Sequence, residues 1–144
     1  MSRESRVTAG VLLILLPAVV YGGTSILSLL VGDPDYAENQ LRQDLWRAGH
    51  AHAGVLLVLS LVTLRYVDEA NLPGPLRSFV RHSIPAAAVL LPAAFFLSVL
   101  SPEATEPNAM IYLAFVGGVV LASGVFVLGV GLIRKPGIQK TEVR

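Results

Sequence analysis

The side chains with the widest chemical reach in this chain stand close together. Arg47, His50 and His52 fall in the run Leu45-Trp46-Arg47-Ala48-Gly49-His50-Ala51-His52-Ala53-Gly54. Imidazole can ligate a metal, exchange a proton near neutral pH, or donate and accept hydrogen bonds. On an ideal helix His52 lies about 200° around from His50. The two therefore do not converge on one ion as a His-x-x-x-His pair would, whereas Arg47, His50 and Gly54 share a face. A metal held by His50 and His52 needs a non-helical turn, or oxygen ligands from Asp33, Asp35, Glu38, Asp44, Glu103 or Glu106. Such a nitrogen and oxygen set suits zinc or Cu(II).

A second polar group has helical spacing. Tyr21, Thr24, Ser25 and Ser28 follow i, i+3, i+4, i+7 and make one stripe. Gly22 and Gly23 beside it admit a close approach by another backbone or a ligand. Asn108 and Tyr112 are expected at the same end of the molecule. If these faces converge, they form an outward-facing polar pocket. Its ligand-binding residues are then Tyr21, Thr24, Ser25, Ser28, Arg47, His50, His52, Asn108 and Tyr112.

Three resemblances bear on this segment. The Arg-x-x-His-x-His element resembles the start of the second helix in subunit I of haem–copper oxidases. That resemblance implies a haem with His50 or His52 as axial ligand. The family's second ligand comes from a later helix that this chain lacks, and Met110 is the internal sulfur that remains. His82 opens a span at the opposite membrane face, about 30 Å away. Arg47-Ala48-Gly49-His50 also resembles the Arg-Ala-His-x-Asn element of small four-helix membrane transferases acting on glutathione or eicosanoids. The downstream asparagine and glutamate of that family are absent here, so its catalytic roles do not transfer. Arg-Ala-Gly-His-Ala-His-Ala-Gly, with Glu106-Pro107-Asn108, is similar to a group of small actinobacterial membrane proteins of unassigned function.

The elements that must hold these residues follow from composition. The 144 residues are 53% hydrophobic and 15% charged, with mean hydropathy +0.65. Soluble domains carry about 25% charged residues, so this chain cannot cover a water-facing surface. Four apolar stretches, 7–31, 48–67, 84–100 and 109–133, each approach the roughly 20 residues that cross a bilayer. The chain thus reads as an all-α, polytopic membrane protein: an antiparallel bundle of four transmembrane helices over 1–135, with a polar cytoplasmic tail, 136–144. Of the eleven basic residues only Arg42 and Arg47 lie outside the two termini and the connection between spans two and three. By the positive-inside rule both termini are cytoplasmic. Arg77, Arg81 and His82 are then expected as a basic edge at the inner headgroups.

The segment 40–47 reads as an interfacial turn or two with Trp46 as anchor. In the fourth stretch, Ala114, Gly118 and Ala122 make one small-residue stripe, and Gly117, Gly124 and Gly131 make another. The two could serve one neighbour in the chain and one in another subunit.

Other classes find no residues to carry them. The chain has no cysteine, so thiolate metal sites and thiol nucleophiles are absent. A net charge of +1 argues against nucleic acid. No nucleophile–base pair or phosphate loop marks an enzyme. The expectation is a multi-pass cell-membrane protein, in the lipid bilayer, that binds a small ligand or docks as an accessory subunit on a larger membrane complex or as a homo-oligomer. A haem- or metal-binding redox protein using His50 and His52 is the alternative, and a small membrane transferase the second alternative.

Overall fold

The computed structural model describes residues 1–134, and every regular element among them is helical. The expected polar tail, 136–144, lies outside the described residues. Helix α1 (Arg3–Gly32) begins where the Ser2 hydroxyl accepts the Ser5 N–H at 3.2 Å. It ends at Asp33, whose carboxylate accepts the Tyr36 N–H and so caps the short α2 (Pro34–Glu38). The Asn39 side chain accepts the Arg42 N–H at 3.0 Å and starts α3 (Gln40–Tyr66). Helix α4 (Gly74–Ser98) carries Pro75 in its first turn, where a missing N–H removes no helical bond. Asn108 caps a 3₁₀ turn, Ala109–Tyr112, that leads into α5 (Leu113–Ile133).

Four of these segments, α1, α3, α4 and Ala109–Ile133, are long and apolar enough to cross a membrane. Large apolar side chains such as Ile14, Val20, Phe115 and Phe126 are exposed on them. Water would penalise that surface and lipid would not. Two boundaries differ from the sequence expectation. The turn expected at 40–47 is continuous with the second span, because the Asn39 cap sets the helix start and no proline follows it. The third span reaches back from 84 to Gly74, so Arg81 and His82 lie within α4.

Packing follows a simple rule of close approach. The α1–α3 contact is made by Leu12, Leu57 and Leu64, with Ala9, Leu16, Val19 and Leu61 around them. Helices α3 and α4 meet at Leu56, Ala87 and Leu91, and at Gly49, where a β-carbon would lie 2.9 Å from Phe96 Cε2. Helix α5 sets Gly117 against Leu91, Gly124 against Ser83 and Ile84, and Gly131 against Leu72. Thus α3 packs on α1 and α4, and α4 on α3 and α5. A cleft is left between α1 and α4, floored by α3.

At the Ser2 end α1 and α4 are bridged by charge. Arg81 was expected at the headgroups with Arg77 and His82, but it is buried. Its guanidinium donates to Asp68 Oδ1 at 3.1 Å, to Ser5 Oγ at 3.1 Å and to the Glu4 carboxylate. The Ser2 backbone N–H donates to the other Asp68 oxygen at 2.6 Å. Burial pushes the Asp68 carboxyl up. The donors from Ser2, Ser5 and Arg81 outweigh it and hold the group at about 2. His82 stays exposed, with Nδ1 2.8 Å from the Ser78 carbonyl.

Candidate functional site

The cleft between α1 and α4 encloses about 320 Å³. Its walls are apolar: Leu12, Leu15 and Val19 from α1, Ala53 and Leu57 from α3, Ala88, Val89 and Phe96 from α4. Leu15 and Val89 are also exposed, so the cleft opens sideways onto the apolar surface. Its length is set by helix rise. From Leu12 to Gly22 is ten residues, about 15 Å.

At its Tyr36 end the cleft meets His50. The imidazole lies against the backbone of Gly22 and Gly23. A β-carbon on Gly23 would stand 2.8 Å from His50 Nε2 and 2.9 Å from Cε1. The glycine pair therefore makes the slot that the ring occupies. The sequence marked these glycines as permitting a close approach, and the group that approaches is the histidine of the same chain. His50 differs from the other two histidines. The Nδ1 atoms of His52 and His82 each face the carbonyl four residues earlier and donate to it. His50 has no hydrogen bond among the described residues, so both its ring nitrogens are available.

Beyond His50 lies a second chamber of about 260 Å³. Ile26, Leu27 and Leu30 of α1 form one wall, and Tyr36, Gln43, Arg47 and His50 form the other. Gln43, Arg47 and His50 recur at i, i+4, i+7 on α3, which places them on one face. The Gln43 amide donates to the Tyr36 and Ala37 carbonyls at 3.1 and 2.7 Å, so it holds α2 in place. Arg47 donates from Nε to the Gln43 carbonyl and from Nη2 to Asp44.

Tyr36 is 1% exposed, and its hydroxyl has no partner. Burial pushes that hydroxyl above its ordinary value, against the opposing pull of Arg47 and Arg42. It remains a neutral donor at physiological pH. Behind the chamber, Trp46 packs 5.5 Å from Tyr36 and 5.9 Å from Phe96, and the Arg42 guanidinium lies 4.7 Å from the Trp46 ring centre. Arg42 is buried and donates to the Val99 carbonyl.

The structure brings together Arg47 and His50 from the expected set, with Gly22 and Gly23. It does not gather the rest around them. Tyr21, Thr24, Ser25 and Ser28 lie along a separate shallow groove of α1 with Asp33. Their hydroxyls turn back on their own helix: Thr24 and Ser25 donate to the Tyr21 carbonyl, and Ser28 to that of Thr24. A hydroxyl in an apolar helix is satisfied most cheaply this way. Asn108 is engaged as a cap, donating to Leu97 and accepting from Met110 N–H. Tyr112 is exposed and stacks beside Phe115. His52 is exposed, 5.0 Å from the Phe95 ring.

The two histidines accordingly serve different helices and do not chelate one ion. Among the described residues no group of three or more histidine, aspartate or glutamate side chains could hold a metal. Met110 lines neither chamber, so it does not stand with His50 as a second axial ligand.

Tyr36, Gln43 and Phe96 went unnoticed in the sequence reading. The heptad relation of Gln43 to His50 was the available signal for one of them. Comparison with protein-family models, with curated proteins and with solved structures finds no match to this chain.

Proposed function

We propose that this chain is a multi-pass cell-membrane protein whose cleft between α1 and α4 binds a single-chain amphiphile. One observation carries the reading. His50, with both ring nitrogens free, stands at the junction of an apolar cavity and a polar chamber and lines each. An alkyl chain suits the first, and a hydrogen-bonding head suits the second. The lateral opening suits a ligand that arrives dissolved in lipid. The reading is of a binding protein rather than an enzyme.

The same reading takes the molecule as an antiparallel four-helix bundle with both termini cytoplasmic. Contacts in opposing register support the first part: Val19 with Gly54 and Gly23 with His50 between α1 and α3, Leu91 with Gly117 and Ile84 with Gly124 between α4 and α5. Arg3, Arg6, Arg65, Arg77, Arg81 and Arg134 at the Ser2 end support the second.

Trp46 is the only tryptophan and stands beside Phe96, which lines the cavity. In a neutral maltoside detergent, a chain-brominated amphiphile is expected to quench Trp46 fluorescence saturably. Ala53→Phe, which fills the cavity, should weaken that binding about tenfold or more, the factor that ~1.4 kcal/mol of lost burial represents. Equal quenching in the variant excludes the cleft.

Docking on a partner membrane helix is a second reading, favoured by the 74% exposure of Tyr21 well inside its span. Tyr21→Leu should leave amphiphile capture unchanged if the cleft is the site.

A further inference from the structure

We infer that the chamber beyond His50 receives an anionic head, a carboxylate or a phosphate monoester, held by Arg47 and His50 with Tyr36 as a further donor. The inference rests on the amphiphile reading of the cleft and goes further by naming the chemistry of its head. The balance of donors and acceptors carries it. Arg47 gives Nε and Nη2 to Gln43 and Asp44, and its Nη1 has no partner among the described residues. The Tyr36 hydroxyl is 99% buried with its residue and has nothing to donate to. His50 adds a third unengaged donor.

Apart from the unprotonated nitrogen of His50, acceptors in the chamber are few, and those nearby are already used. The Tyr36 and Ala37 carbonyls take the Gln43 amide protons, and the Gln43 carbonyl takes Arg47 Nε–H. No aspartate or glutamate lines the chamber, although Asp33, Asp35, Glu38 and Asp44 lie on the adjoining segments. Asp44 pairs with Arg47 from the exposed side, with more than half of each side chain in solvent. A cationic head would meet the Arg47 charge and no carboxylate in the chamber lining. An alcohol could give its O–H to the unprotonated nitrogen of His50 and accept one proton, which leaves at least one of Arg47 Nη1 and the Tyr36 hydroxyl unmatched. A carboxylate or phosphate accepts from Arg47, His50 and Tyr36 together, and charge-assisted hydrogen bonds are about twice as strong as neutral ones.

The test uses the full chain in maltoside detergent, with displacement of the brominated amphiphile from Trp46 as readout. Dodecyl phosphate and dodecanoate are compared with dodecanol, and with inorganic phosphate alone. Wild-type protein is expected to bind the two anionic amphiphiles roughly tenfold or more tightly than the alcohol, the value of one charge-assisted hydrogen bond. Arg47→Gln and His50→Gln should each shrink that ratio severalfold, the anionic amphiphiles losing more affinity than dodecanol. Arg47→Lys, which keeps the charge, should retain most of the preference.

Equal binding of dodecanol and dodecyl phosphate by wild-type protein overturns the anionic head and leaves the cleft as an amphiphile site. A preference that survives both glutamine variants overturns it as well. Failure of all three amphiphiles to displace the probe removes the amphiphile reading beneath it. Inorganic phosphate competing as strongly as dodecyl phosphate would assign the chamber to a soluble anion and likewise remove the lipid-like tail.

Discussion

Three histidines of one chain have three different fates, and local geometry decides each. His52 and His82 are exposed and tie Nδ1 to their own helix, as polar side chains on an apolar surface do. His50 has a glycine slot in front of it and no carbonyl claiming its nitrogens, so it is the one left to meet a ligand. Asp68 shows the converse, a charged group fully engaged by its neighbours. Its carboxyl is held at about 2 against an ordinary 3.8. A depressed carboxylate contributes stability that is present above the unfolded value and lost as pH falls through the folded one. On the order of 2 kcal/mol should therefore disappear between about pH 4 and pH 2. Asp68→Asn is expected to lower the thermal midpoint in detergent at pH 7 and to flatten this acid limb. An acid limb of unchanged depth in that variant would show that the Arg81 cluster does not depend on the Asp68 charge.

At the scale of elements, α5 presents two small-residue stripes of similar appearance and unlike use. Gly117 and Gly124 are buried against α4 and Gly131 against the connection before it, where a β-carbon would come within 2.6 Å of Leu72 Cγ. On the other stripe, a β-carbon on Gly118 would meet nothing within 4 Å. In lipid, helices associate through such close packing, so added volume should be felt at Gly124 and not at Gly118. Gly124→Val should destabilise by about 1–3 kcal/mol through overpacking against Ser83 and Ile84. Gly118→Val should change stability by no more than about 0.5 kcal/mol. Thermal unfolding of the two variants in one detergent checks the contrast, and equal losses would refute the assignment of stripes to faces.

For the whole molecule, the ends differ in chemistry. In the proposed antiparallel bundle one end holds Arg3, Arg6, Arg65, Arg77, Arg81 and Arg134 against Glu4, Asp68 and Glu69, and the other holds Asp33, Asp35, Glu38, Asp44, Glu103 and Glu106 against Arg42 and Arg47. If the first end is cytoplasmic, Glu103→Cys should react with a membrane-impermeant maleimide on intact cells, and Ser78→Cys only after permeabilisation. The chain's lack of native cysteine makes either signal unambiguous. The reverse pattern would invert the topology, and with it the side from which the chamber is reached.

How much was legible beforehand divides along physical lines. Four spans can be read from residue types because crossing lipid demands about 20 consecutive apolar residues whatever they pack against. The face shared by Arg47 and His50 was also legible, since helical spacing alone sets it. Neither the slot at Gly22 and Gly23 nor the Tyr36 wall could be read this way. Nor could the burial of Arg81 beside Glu4 and Asp68. Each joins residues far apart in the chain, and only the relative placement of α1, α2, α3 and α4 brings them together. The stripe of Tyr21, Thr24, Ser25 and Ser28 makes the same point in reverse. Its periodicity is a property of one helix, but which way that face turns depends on the rotation of α1 against α3, and this is set by Leu12, Val19 and Leu57. Local sequence determined that the chain is helical and apolar enough to span lipid; long-range packing decided which polar groups confront one another.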